Sequence, residues 1–243
     1  MTNLVIDIGN TQFKLCVFQN QELSYHAYYN SLESTLLLSL ISEFQIERGI
    51  FSDTRGVDAN FLLKLLPEHF ELLELSYKIP LPIKLNYETP ETLGKDRIAG
   101  AVGGFMQFPQ TPLLIIDMGT AITIDFISAD GVFQGGIISP GPATRYKALH
   151  QFTGKLPLLE PINEPPLIGK STAGSIQAGV QQGILHEING YINQYQKIHP
   201  SLKVVFTGGY AYLFDKKINF PVYSDAFLIS KGLNHIAHYQ LNQ

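Results

Sequence analysis

Two stretches decide how the chain must fold: residues 4–18, LVIDIGNTQFKLCVF, and residues 113–127, LLIIDMGTAITIDFI. Aligned on their acids, Asp7 falls on Asp117, Gly9 on Gly119 and Asn10 on Thr120, 110 positions apart in a chain of 243 residues. Each copy is an aliphatic and β-branched run, then Asp-x-Gly with a small polar residue, then a second β-rich run. That is the pattern of two strands joined by a tight turn. An echo at nearly half the chain length predicts a duplicated domain. A lone Asp-x-Gly can be a hairpin whose acid merely caps the turn; two in equivalent places point to a site.

Working outward, apolar periodicity predicts alternating helices and strands. Leu36, Leu37, Leu40, Ile41 and Phe44 form a helical stripe over 32–44, followed by a strand at 48–52 and a helix at 59–66 that stops before Pro67. Pro80, Pro82 and Pro90 then mark an extended loop leading to Gly94-Lys95-Asp96-Arg97 and a helix over 98–108. In the second half a strand at 135–139 turns at Pro140-Gly141 into a helix at 143–152, and a proline-rich loop leads to Gly169-Lys170-Ser171-Thr172. A long helix over 175–198 carries apolar positions 176, 180, 184, 185, 188 and 192. Its Ala178, Gly179 and Gly183 include poor helix formers, which predicts that another element packs closely on them. A strand at 203–206 opens into Thr207-Gly208-Gly209, and a helix at 226–239 follows. The class is α/β, with two similar lobes divided as 1–111 and 112–243.

Composition removes several function classes. Hydrophobic residues at 45% against 16% charged describe a packed chain rather than a disordered one. Seventeen basic residues against 21 acidic, with no Lys/Arg run, leave no nucleic-acid footprint. The single cysteine, Cys16, allows neither an internal disulfide nor a thiolate metal cage, and inside a strand it reads as a small buried hydrophobe. No basic segment precedes an apolar one at the N-terminus, and the apolar runs fall short of the ~18 residues that span a bilayer, so a cytoplasmic, membrane-free protein is expected. There is no G-x-G dinucleotide fingerprint. Gly169-Lys170-Ser171 is not a P-loop, because Glu164 stands where the leading glycine belongs. Neither G-x-S-x-G nor H-E-x-x-H occurs.

Phosphate chemistry built from carboxylates and turns remains. Backbone N–H groups along Asp7-Ile8-Gly9-Asn10-Thr11 can cradle phosphate oxygens, with Asn10, Thr11 and Lys14 adding donors and charge. Asp7 can hold a metal or its water shell, and Thr207-Gly208-Gly209 offers a surface without side chains on which a flat base can lie. Asp7-x-Gly9-Asn10-Thr11, Gly94-x-Asp96-Arg97, Asp117-x-Gly119-Thr120-Ala121, Gly135-Gly136 with Pro140-Gly141, Gly169-Lys170-Ser171-Thr172 and Thr207-Gly208-Gly209 follow one another in order. Together, over about residues 4–233, they resemble type III pantothenate kinase.

The resemblance implies two ribonuclease-H-like lobes of the acetate and sugar kinase, Hsp70 and actin type, with ATP in a cleft between them. It implies phosphorylation of pantothenate to 4′-phosphopantothenate, the first step of coenzyme A synthesis, by a homodimer needing Mg²⁺ and a monovalent cation, K⁺ or NH₄⁺. Carried over by residue, Asp7, Ile8, Gly9, Asn10, Thr11, Gln12, Phe13 and Lys14 form the phosphate loop, with Asp7 toward Mg²⁺. Thr120, Gly208 and Gly209 contact ATP, and Asp117 binds the monovalent cation. Asp96 is the base facing the pantothenate hydroxyl. Tyr87, Gly94, Lys95, Arg97 and Thr172 line the substrate pocket, Thr172 from the partner subunit. Many relatives carry an aromatic residue where Ile98 stands, which bears on the pocket wall.

At a helix start beside Arg97, the Asp96 carboxyl is expected below its ordinary pKa, so that it mainly orients the hydroxyl. The planar donor fork of Arg97 suits the pantothenate carboxylate, while Lys95 reads as a solvated side chain. Two rival readings keep the fold: a catalytically inactive accessory or regulatory protein, and a kinase for another small alcohol or acid.

Overall fold

The computed structural model describes residues 2–56 and 59–241. Contacts divide the chain into two compact units. The first runs to Pro109 and takes in Gly131–Phe133 and the chain from Phe227 on; the second holds Gln110–Asp130 and Gln134–Ala226.

In the first unit β1 (Thr2–Ile8), β2 (Phe13–Gln19) and β3 (Glu22–Tyr29) precede α1 (Ser34–Phe44), β4 (Arg48–Asp53), α2 (Ala59–Leu63), β5 (Glu71–Glu74), β6 (Lys84–Leu85) and α3 (Lys95–Gln107). In the second unit β7 (Leu113–Met118) and β8 (Ala121–Ile127) are followed by β9 (Val132–Pro140), whose first two residues belong to the first unit and pair there with β6. Then come α4 (Pro142–Gln151), α5 (Thr172–Ile198), β10 (Lys203–Thr207) and β11 (Val222–Ser224); α6 (Leu228–Gln240) returns to the first unit.

The echo in the sequence becomes an echo in topology. The first sheet is ordered β3-β2-β1-β4-β5, and the second repeats the order as β9-β8-β7-β10-β11. The central strand is antiparallel to the next strand and parallel to the strand on its other side, β4 for β1 and β10 for β7. Aliphatic runs fill these central strands because both faces are covered: Leu4, Val5, Ile6 and Leu113, Leu114, Ile116 are all fully buried. Each aspartate is the penultimate residue of its central strand. The loops differ by one residue, since four residues separate the paired Ile8 and Phe13 and three separate Met118 and Ile122.

Two expectations are corrected. The C-terminal lobe does not run unbroken from residue 112, because α6 packs on α3 nearly backbone to backbone. A Cβ on Gly232 would lie 1.8 Å from the Ala99 carbonyl oxygen, and one on Gly103 would lie 2.4 Å from that of Leu228. This explains Gly103 inside a helix, and the buried Asn3–Asn234 hydrogen bond of 2.8 Å ties α6 to β1 as well. In α5, by contrast, Ala178 is buried as expected but the two glycines are not closely covered: among the described residues nothing lies within 4 Å of a Cβ built on Gly179 or Gly183. The α5 core face is the anticipated one, with Ile176, Val180, Ile184, Leu185, Ile188 and Ile192 buried. Among the described residues no helix is long and apolar enough to cross a membrane.

Candidate active site

In the first unit the phosphate loop closes with the Gly9 N–H donating to the Gln12 carbonyl at 3.2 Å, which leaves Asn10, Thr11 and Gln12 exposed at the tip. Gln12 reaches Asn30 at 3.2 Å. The register sets a transverse row across four strands: Tyr28, Lys14, Asp7 and Ser52. The Lys14 ammonium lies over the rings of Tyr28 and Phe227, 5.4 and 5.5 Å from their centroids. Buried Ser52 donates its hydroxyl to Asp7 Oδ1 at 2.7 Å. Burial raises the Asp7 pKa, the Ser52 hydrogen bond and the Lys14 charge oppose that rise, and the negative charge of Asp96 adds to it. Two carboxylates of the first unit therefore sense each other.

Asp96 is the second residue of α3, and its Oδ1 accepts the Arg97 backbone N–H at 2.8 Å. The sequence-based expectation of a depressed pKa is overturned. Burial raises it, and the Arg97 N–H and charge only partly offset that desolvation. Arg97 is itself buried, its guanidinium 5.7 Å from the Tyr87 ring centroid and 5.6 Å from that of Phe133. Tyr87 meets Phe133 edge-on at 5.9 Å. The structure thus sets Arg97 beside Tyr87 and adds Phe133, which lies far off in sequence at the start of β9. Lys95 is not merely solvated: it pairs with Glu74 at 2.5 Å. Ile98 points into the core, 1% exposed, so its aliphatic character serves the packing of α3.

The second unit carries Asp117, Thr120, Thr172, Gly208 and Gly209. Asp117 stands in register with buried Thr207 on β10, and the chain then turns through Gly208 at φ 89°. A Cβ there would sit 2.3 Å from Asp117 Oδ1 and 2.6 Å from the Met118 nitrogen, so only glycine lets this turn lie against the carboxylate. The Thr120 carbonyl accepts from the Gly141 N–H at 3.0 Å and the Thr144 hydroxyl at 2.7 Å, fixing the β7–β8 turn to the start of α4. Thr172 opens α5, whose cap is the Ser171 hydroxyl accepting from the Gly174 N–H at 3.1 Å; Gly169-Lys170-Ser171 is thus a helix start. Thr172 also lines a cavity of about 830 Å³ with Thr144, Arg145 and Ile176. Arg145 is held there by the Pro140 carbonyl at 2.7 Å and by Glu187.

Among the described residues no cluster of three or more His, Cys, Asp or Glu could cage a metal. The donor set fits Mg²⁺ nonetheless, since Mg²⁺ is commonly held by one or two carboxylates together with substrate phosphates and water. Asp7, beside a loop of backbone donors, supplies such a carboxylate.

Two sheets of one topology, each ending its central strand in an aspartate beside a turn, place the chain in the acetate and sugar kinase, Hsp70 and actin fold class. The chain belongs to the type III pantothenate kinase family. It matches that family over residues 3–194. It is 41% identical over 239 residues to the type III pantothenate kinase of Phocaeicola vulgatus, covering 98% of each chain. The fold is shared with a Baf family protein from Campylobacter jejuni, at 22% identity, TM-score 0.66 and coverage of 99% and 100% of the two chains. A ROK family protein from Streptococcus pneumoniae shares it too, at 12% identity, TM-score 0.51 and full coverage of both chains.

Proposed function

We propose that the protein transfers the terminal phosphoryl group of ATP to the hydroxyl of pantothenate, giving 4′-phosphopantothenate for coenzyme A synthesis. The observation that carries the reading is the first-unit arrangement of Asp96 and Arg97 at the head of α3, with Tyr87 and Phe133 against the guanidinium. Phosphoryl transfer depends mainly on positioning and charge neutralisation. The Asp96 carboxylate orients the acceptor hydroxyl and takes its proton, and its raised pKa makes it a better base than an exposed aspartate. Arg97, fixed between two rings, presents a planar fork to the pantothenate carboxylate. Tyr87 and Gly94 complete this chain's side of the acceptor pocket, with Lys95 tied to Glu74 at its edge, and Thr172 is contributed by the partner subunit.

Backbone N–H groups at the loop tip, Asn10, Thr11 and Gln12, receive the phosphate oxygens, and the Lys14 and Asn10 side chains add donors. Thr120, Gly208 and Gly209 hold the nucleotide, and Asp117 holds K⁺ or NH₄⁺. Mg²⁺ at Asp7 supplies neutralisation of the triphosphate charge. Ile138, Phe152, Leu167 and Ile168 of the second unit are 64%, 82%, 74% and 78% exposed, and apolar exposure of this kind supports a homodimer. The test is ADP release from ATP and Mg²⁺ with and without pantothenate, in K⁺ and in Na⁺. The reading requires turnover that depends on pantothenate and falls in Na⁺; turnover indifferent to pantothenate would overturn it.

A further inference from the structure

We infer that Ser52 is a positioning residue for the phosphate loop: its buried hydroxyl fixes the Asp7 carboxylate in the orientation that receives Mg²⁺-bound nucleotide. The inference deepens the proposed reading and rests on its placing Asp7 at the phosphates. Ser52 lies on β4 in parallel register with Asp7, is fully buried, and donates to Oδ1 at 2.7 Å. A hydroxyl has one proton to give, and here it goes to a group that only accepts. That bond commits one carboxylate oxygen; among the described residues no hydrogen bond from the protein reaches Oδ2.

Burying a hydroxyl beside Ile50 and Phe51 costs free energy unless it is used, so an aliphatic residue would suit this strand better if packing were all that mattered. Two residues on, Thr54 donates both its N–H, at 3.1 Å, and its hydroxyl, at 2.9 Å, to the Ile8 carbonyl. The end of β4 thus holds the loop at a side chain and at a backbone carbonyl. The second unit repeats the placement independently. On β10, the strand corresponding to β4, Thr207 is buried and in register with Asp117. In both halves of the duplication a buried hydroxyl residue stands on the parallel neighbour, opposite the aspartate.

The experiment is a double-mutant cycle on nucleotide binding, which needs no acceptor. Affinity for ADP is measured with and without Mg²⁺ on wild type, Ser52→Ala, Asp7→Asn and the double variant, with thermal unfolding of each. Ser52→Ala is expected to weaken the Mg²⁺-dependent affinity about 10-fold, the low end for residues that orient a metal's ligands, and to cost nothing further in the Asp7→Asn background. Ser52→Thr, which keeps the hydroxyl, should restore most of the affinity. Should Ser52→Ala not fold, Ser52→Cys, nearly isosteric with a weaker donor, replaces it in the cycle. An unchanged affinity, or an equal loss in both backgrounds or without Mg²⁺, overturns the inference. Pantothenate-dependent turnover of wild type is read separately: its absence beside an intact cycle removes the acceptor assignment and leaves Ser52 standing.

Discussion

Asp96 brings the conflict between stability and function down to one carboxyl group. The start of α3 and the Arg97 N–H favour its ionised form, burial opposes it, and burial is the larger effect. Turnover should therefore lose its base at a pH above the ordinary carboxylate value, so a kcat profile taken downward from pH 8 should fall earlier than one governed by an exposed aspartate. The stability consequence has a definite sign. A carboxyl whose folded pKa is raised binds more protons folded than unfolded, so its contribution to stability falls as pH rises from the unfolded value, near 3.8, through the folded one. Asp96→Asn should accordingly be more stable than wild type in denaturant at pH 7, and the advantage should vanish as pH falls to 3.8 and below. Equal stability at both pH values contradicts the burial argument. The residue was legible from Gly-x-Asp-Arg; its titration was not, because a helix start signals dipole and charge but says nothing of what covers it.

At the scale of elements, the packing of α3 on α6 makes a sharp demand. Gly232→Ala places a methyl 1.8 Å from the Ala99 carbonyl and 2.9 Å from the Gly103 nitrogen, both backbone atoms with no rotamer to relieve them. Overpacking of this kind costs about 1–3 kcal/mol. For a chain of this size each kcal/mol lowers Tm by roughly 2–4 °C, so scanning calorimetry should show a drop of several degrees. An unchanged Tm would contradict this backbone-to-backbone packing of α3 and α6. Strands with aliphatic runs were legible: β1, β2, β4, β7, β8 and β10 all fall where period and composition place them. The strands that escaped notice are of another kind. β3 and β5 are the edge strands of the first sheet and hold only exposed and half-buried residues, while β6 and β11 span two and three residues, so no buried apolar run announces them. Ser52 escaped for a related reason, since its meaning comes from a strand pairing 45 residues away.

For the whole molecule, the Asp-x-Gly echo foretold two sheets of one topology but not the return of α6 to the first unit, which depends on contacts between residues more than a hundred positions apart. Gly179 and Gly183 of α5 have no atom of the described residues within 4 Å of a Cβ built on them. A homodimer held by the exposed face of the second unit should sediment as two chains at micromolar concentration, and Ile168→Glu, which puts a charge where a side chain is 78% exposed, should shift the population toward one chain. A wild-type protein that sediments as a single chain removes the dimer.

The central claim is that Asp96 activates the pantothenate hydroxyl for attack on ATP. The most direct measurement is steady-state ADP release with pantothenate as acceptor, in Mg²⁺ and K⁺, on wild type and Asp96→Asn, with ADP affinity as the control for folding. The account predicts that kcat falls by about 10² to 10⁴ while ADP affinity stays close to wild type. An Asp96→Asn enzyme that turns pantothenate over at the wild-type rate would contradict it.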